Sequence, residues 1–399
     1  MSELARAQQA VVTALVRHST YSHRASTAAV NRVWNEVEQI GQDVLDDLPE
    51  LLAALGPAER QAFIHEDLEA AGLQPLLARI DQAVADIQAV VSREWSKSAA
   101  ELAAYEAEYM GKVLERAVDG LPPIKADGAR ILETAQATPV LDDIVQVEDL
   151  LAEIAAQARL RLVGALREGM QAGRADKDSV RLLRGSARLR WRNGLWQRGR
   201  FDVERMIRTA RHHVAITAHE AVYEQAGVRY VVVTAVLDGR TSKYCAAMDG
   251  ALYQRGTAYP RPPYHIQCRT QLVPSFDGSL AGNRPFVLAL KVRGSYRLGE
   301  EGERVPRPAA YRPVERMSPA QRRKAGVKRG EVGLETNYSR WFSRQDPHYQ
   351  KEWLGPARYK LYKEGYYELD RFVDPRGKTY TLAELRARDE ETFKRLFGQ

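Results

Sequence analysis

Cysteine is almost missing: the 399 residues hold only Cys245 and Cys268. Two thiols do not make a disulfide framework, and such sparing use fits synthesis in a reducing compartment. No run of 18 apolar residues occurs, so no membrane span is expected. The opening MSELARAQQAVVTALV carries acid early and lacks a cleavage-type apolar core, so it does not read as a signal peptide. No G-x-x-x-x-G-K-[ST] loop exists, which excludes a P-loop ATPase, and G-x-S-x-G is absent too. Neither a fixed repeat nor a low-complexity tract appears.

What is present is enough apolar residue, 44%, for a real core, in a length that suggests two or three domains. Charge is unevenly spread. Residues 1–150 carry 12 Lys and Arg against 25 Asp and Glu, and the remainder carries 47 against 27. Such asymmetry reads as two halves facing different surroundings: a basic half suited to nucleic acid and an acidic half repelled by it. Ordinary solvated surfaces are the plainer reading of the same numbers.

Residues 1 to about 120 read as helix. ARAQQAVVTALVRH and TAAVNRVWNEVEQIGQDVLDDL repeat apolar residues at steps of three and four, and LQPLLARI…KVLERAV continues the period for more than forty residues. DGLPPIKADG breaks it, and another helix is expected from about Val147 to Gln171. A further helix ends at Gly227, followed by the β-branched strand VRYVVVTAV. PPYHIQCRTQLVPSF begins extended and ends as a strand, and FVLALKV reads as one more. The expected class is mainly α. An acidic helical domain covers 1–175, and basic helices with a small α+β domain cover 176–276. A basic linker or arm follows at 277–330, then an aromatic-rich helical module at 331–399.

Between 181 and 211 stand ten arginines, opposed only by Asp202 and Glu204. Arg181, Arg184, Arg188, Arg190, Arg192, Arg198 and Arg200, with Trp191 and Trp196 interleaved, are the nucleic-acid candidates: guanidinium groups for phosphates, ring faces for bases. The alternative is a basic amphipathic helix pair with its tryptophans in the core.

The sharpest chemical idea is a metal. Cys245, His265 and Cys268 offer three soft or borderline ligands, and Asp238 is the candidate fourth. The paired step is incomplete, because Ser242 stands three residues before Cys245. The favoured reading is therefore no cofactor, with zinc kept open: Asp238 pairs with Arg240 or Arg269, and His265 bonds to backbone. A Cys–His nucleophile needs an orienting group and an oxyanion hole, and nothing in the sequence names them. HEAVY at 219–223 fails as a zincin helix because Tyr223 occupies the second histidine's place. His212, His213 and His219 share one helix and read as a packed or solvated face rather than a ligand set.

The ordered set Arg208-Thr209, then Asp238, Arg240 and Thr241, Cys245, Asp249-Gly250, Pro262-Pro263, His265, and Cys268-Arg269 resembles the phage head morphogenesis, or minor head protein, family (Mu F-like). The likeness spans about 205–275. Gln345, Leu354, Gly355, Arg358 and Gly365 add a softer likeness to tails of such proteins. Many members carry a cysteine where this chain has Ser242. The resemblance implies a non-enzymatic, low-copy virion component inside the capsid near the portal, made in the host cytoplasm. It would contact portal protein, capsid or scaffold proteins and double-stranded phage DNA, and act in capsid assembly and DNA packaging or ejection. The rival reading is a nuclease or toxin-like enzyme fused to a head-targeting module.

Overall fold

A computed structural model describes residues 3–141, 144–189, 191–288, 296–298, 304–306, 318, 320–321, 328–375 and 377–398. The chain is mainly helical, as its periodicity predicts. Helix α1 (Glu3–Ala53) is one unbroken rod. The polar stretch RHSTYSHRAST lies inside it, since no glycine or proline there can stop it. Helix α2 (Pro57–Ile64) and α3 (Gln74–Ala117) both start with proline in the first turn, where the missing N–H costs nothing. Helix α4 (Gly128–Ala137) is capped by Asp127, which accepts the Ala129 amide. Helix α5 (Val147–Gln171), α6 (Asp176–Arg184) and α7 (Gly199–Gln225) complete the set.

Helices α1, α3, α5 and α7 pack on one another around a continuous apolar interior. Cross-links between α1 and α3 run antiparallel: Arg79 with Asp47 at 2.6 Å, Arg93 with Glu36, and the Tyr109 hydroxyl donating to Ala14 O at 2.9 Å. Helix α7 also lies antiparallel to α1, through Arg200 to Asn31 and Arg208 to Thr27. Part of the charge asymmetry is thereby spent inside the molecule. Arg184 pairs with Asp46, Arg159 with Asp81 at 2.8 Å, and Arg167 with Glu66 at 2.6 Å.

The small sheet follows α7. Strand β1 (Tyr230–Thr234) is central, β2 (Leu252–Gln254) and β3 (Gln271–Ser275) flank it, and both pairings are antiparallel. Val231 faces Tyr253 on one side and Pro274 on the other. Helix α8 (Lys243–Met248) fills the β1–β2 connection. The sheet rests on the bundle: the Tyr223 hydroxyl donates to Leu272 O at 3.0 Å, and Gln8 of α1 donates to Pro274 O at 3.3 Å. One apolar cluster runs without interruption from Val11 to Val273.

Beyond it, β4 (Asn283–Leu288) takes the place expected for FVLALKV, and residues 289–292 of that stretch lie outside the described residues. Short β5 (Tyr296–Leu298) and β6 (Arg304–Pro306) pair with each other, and β7 (Lys328–Gly333) pairs with β4. The other residues of 289–327, most of the expected arm, lie outside the described residues except Ser318, Ala320 and Gln321. Five short helices close the chain: α9 (Tyr338–Ser343), α10 (Pro347–Leu354), α11 (Pro356–Glu364), α12 (Leu382–Arg388) and α13 (Glu390–Phe397). They enclose a second, aromatic cluster around Tyr338, Phe342 and Phe372, which also takes in Leu237 and Ala246. Among the described residues no helix is long and apolar enough to cross a membrane.

Candidate functional site

The motif residues converge on the sheet's edge. Ser242 caps α8 by accepting the Cys245 amide at 3.1 Å, which places the Cys245 thiol at the start of the helix. The segment carrying the cis Pro262–Pro263 bond returns His265 and Cys268 to it. Cys245 Sγ lies 3.1 Å from His265 Nε2 and 3.7 Å from Cys268 Sγ. His265 Nε2 is also 2.8 Å from Ser242 Oγ, and its Nδ1 lies 2.9 Å from Ile266 O. Both thiols are buried. The hydrogen bond with Cys268, helped by Ser242 and Thr270 and opposed by burial, lowers Cys245 to about 7. Burial and its bond to Cys245 push Cys268 well up. One thiol of the pair ionises readily and the other holds its proton.

This donor set fits a zinc ion on three sides. Zinc–sulfur bonds of about 2.3 Å at a tetrahedral angle put two sulfurs close to the separation seen here. The His265 ring is braced at Nδ1 by a backbone carbonyl, as metal-bound histidines commonly are. The fourth ligand, however, is corrected. Asp238 does not join the group. Its carboxylate receives both Arg269 nitrogens at 2.8 Å, the Arg240 amide at 3.0 Å and the Thr241 hydroxyl at 3.3 Å. Ser242 is the oxygen next to His265 instead.

The remaining motif residues act as fasteners. Thr209 Oγ1 accepts the Gln267 amide at 2.8 Å, and neighbouring Arg208 pairs with Glu204 at 2.9 Å. Asp249 accepts the Ala235 amide at 2.7 Å, and its two oxygens take a bidentate grip from buried Arg284 at 2.7 and 2.5 Å. It also accepts the Tyr338 amide at 2.5 Å, which ties the sheet to the C-terminal module. Gly250 sits at φ 88, a backbone angle that favours glycine. Tyr264, next to Pro263, packs edge-on against Tyr244. Arg284 carried no signal in the sequence, because its partner lies 35 residues away.

The arginine-rich segment divides. Trp196 is corrected from a stacking candidate to core: it is 1% exposed and lies over Gly41 of α1. Arg184 is spent on Asp46, and Arg200 donates to Asn31 at 2.5 Å, so both face α1 rather than an outside ligand. Arg181, Arg188, Arg192 and Arg198 are exposed, with no ion pair among the described residues. Arg190 lies outside the described residues. Trp191 is 39% and Phe201 65% exposed.

The three histidines of α7 are each engaged separately. His212 Nε2 meets Thr270 O at 2.8 Å and His213 Nε2 meets Ala135 O at 2.9 Å. His219 Nε2 meets Glu106 Oε2 at 3.1 Å, and His18 Nε2 meets the same oxygen at 2.7 Å. Burial alone would raise Glu106, but the hydrogen bonds from His18 and His219 outweigh it and hold the carboxyl at about 2. Nothing in the local sequence announces this trio, whose members lie on α1, α3 and α7.

Comparison of the chain with family models, with curated proteins and with solved structures finds no match.

Proposed function

We propose that the chain is a minor head protein of a phage: a low-copy structural component of the virion that associates with the portal and with packaged DNA. The observation that carries this reading is how the ordered motif residues are used. Asp238 holds Arg269, Thr209 holds the Gln267 amide, and Asp249 holds Arg284 and the Tyr338 amide. Asp238, Arg269, Thr209 and Asp249 of the family-like set are clamps between elements, which is what a docking scaffold needs. In support of a non-enzymatic role, the one readily ionised thiol, Cys245, is buried against His265 and Cys268. The exposed arginines at 181, 188, 192 and 198 supply a surface for phosphates. The aromatic C-terminal module supplies a surface for portal, scaffold or capsid wall.

The test is quantitative mass spectrometry of purified virions from the phage that encodes this chain. A few copies per particle, retained with portal when heads are disrupted, support the reading. Absence from the particle, or hydrolytic turnover of nucleic acid by the purified chain, overturns it.

A further inference from the structure

Three side chains from three helices meet inside the bundle, away from the motif residues. His18 of α1 and His219 of α7 both aim Nε2 at the same oxygen, Glu106 Oε2 of α3, at 2.7 and 3.1 Å. Their side chains are 6%, 3% and 2% exposed in the order His18, His219, Glu106. The three donor atoms lie within 4.8 Å of one another. We propose that His18, Glu106 and His219 form a binding site for one divalent transition-metal ion of the zinc class.

The chemistry of the donors fits. Two imidazole nitrogens and a carboxylate oxygen are a borderline set that suits zinc, and also iron(II) or cobalt(II). Metal–ligand bonds of about 2.0–2.1 Å place neighbouring donor atoms roughly 3 Å apart, close to the two separations here. Three protein ligands leave a fourth position for water. Both rings aim Nε2 at the same oxygen, Glu106 Oε2, so a cation placed between the three donor atoms would replace both hydrogen bonds at once.

The surroundings hold the rings ready. His18 is stacked on Tyr109 with centroids 3.8 Å apart, and the Tyr109 hydroxyl is anchored to Ala14 O. His219 Nδ1 has no hydrogen-bond partner among the described residues although it is buried. The ring's polar contact is therefore through Nε2 to Glu106, and a cation bound there would take the place of that proton. Arg211 of α7 lies within electrostatic reach of Glu106 and competes with a bound cation for the carboxylate charge. Access is short. Tyr21 and Tyr105, with rings 5.7 and 5.9 Å from His18, are 51% and 39% exposed, so the site lies one side chain below solvent.

The experiment uses the full chain, stripped with chelator and titrated with cobalt(II), then with zinc. The expected result is one equivalent of cobalt with ligand-field absorption but no thiolate-to-cobalt charge-transfer band, displaced by zinc. Cobalt at Cys245 and Cys268 carries that band, so the two sites are told apart. Glu106→Gln, which keeps shape and hydrogen bonding, should weaken the thiolate-free binding at least tenfold. Unchanged binding in that variant overturns the proposal. If Glu106→Gln does not fold, the unaltered chain still decides: lack of a thiolate-free cobalt adduct overturns it.

Discussion

Thr209 on α7 accepts the backbone N–H of Gln267 at 2.8 Å, across 58 residues of sequence, while its own hydroxyl proton goes to Arg205 O at 2.7 Å. Gln267 rests at φ 60, where a side chain is disfavoured, so the turn needs an external hold. That turn delivers Cys268 to Cys245. Thr209→Val keeps the shape and removes the acceptor, leaving an N–H without a partner. The expected loss is about 1–3 kcal/mol in denaturant unfolding, and Thr209→Ser should recover most of it. Equal stability of the valine variant would show that the turn is held elsewhere.

Asp238 and Arg269 join the loop after β1 to the residues before β3, with both oxygens and both guanidinium nitrogens used. Asp238 is buried and Arg269 is one-third exposed, so solvent screens part of the pair. Arg269→Gln should cost about 1–2 kcal/mol. Asp238→Asn should cost at least as much, because it also weakens acceptance from the Arg240 amide and Thr241. A double-mutant cycle should return positive coupling, and strict additivity would mean that the two residues do not depend on each other.

Acid should weaken the fold through α7. Burial lowers His212 to about 4, and burial also lowers His213 below its ordinary value. Both are bases held neutral, each against a carbonyl oxygen. Their contribution is complete above the unfolded pKa of about 6.5, and it drains as pH falls toward about 4, since the unfolded chain takes the proton first. Each such group adds at most about 1.4 kcal/mol per pH unit to the slope. In chemical denaturation at several pH values, His212→Gln should flatten the curve between those limits. An unchanged slope would place the acid sensitivity elsewhere.

Much of the fold could be read from the sequence, because helix period, proline starts and β-branched runs are local signals. Val147–Gln171 and the rod from Gln74 to Ala117 lie where the apolar spacing puts them. Less visible is what His18 of α1 is for: it reads as one polar residue in a helix until α3 supplies Glu106 as its partner. The site was half visible. Cys245, His265 and Cys268 do meet, and Asp238 pairs with Arg269, one of the two partners favoured for it, rather than serving as the candidate fourth ligand. Trp196 shows the same limit, since arginine neighbours hide the fact that its ring fills the space over Gly41. Pairings such as Arg184 with Asp46 join residues more than a hundred positions apart, and no local pattern encodes them.

Ser242 stands where a fourth metal ligand belongs, 2.8 Å from His265 Nε2. Ser242→Cys should close the donor set around Cys245, His265 and Cys268, and tighten zinc binding tenfold or more in a competition assay with a chromophoric chelator. The unaltered chain is the reference, and elemental analysis counts the metal. No gain in the variant would show that the position 242 side chain does not share a centre with the two thiols.

The exposed arginines decide whether this segment meets nucleic acid. Arg181, Arg188, Arg192 and Arg198 are exposed, as are Trp191 and Phe201, whereas Arg184 and Arg200 are committed to α1. If the four exposed groups contact phosphates, binding by the full chain should be indifferent to sequence. It should also fall by roughly a hundredfold when salt rises fourfold, because each contact releases condensed counterion. Replacing Arg188, Arg192 and Arg198 together by Ala should lower the salt slope by up to about three. Arg184→Ala should leave the slope alone, since its charge is already spent on Asp46. Trp191→Ala should weaken single strands more than duplex, through lost stacking. Trp196→Ala should instead cost about 3–5 kcal/mol of stability by emptying the core. The opposite pattern, with DNA binding undetectable at low salt and the triple variant failing to enter heads, would assign this surface to the acidic face of a protein partner.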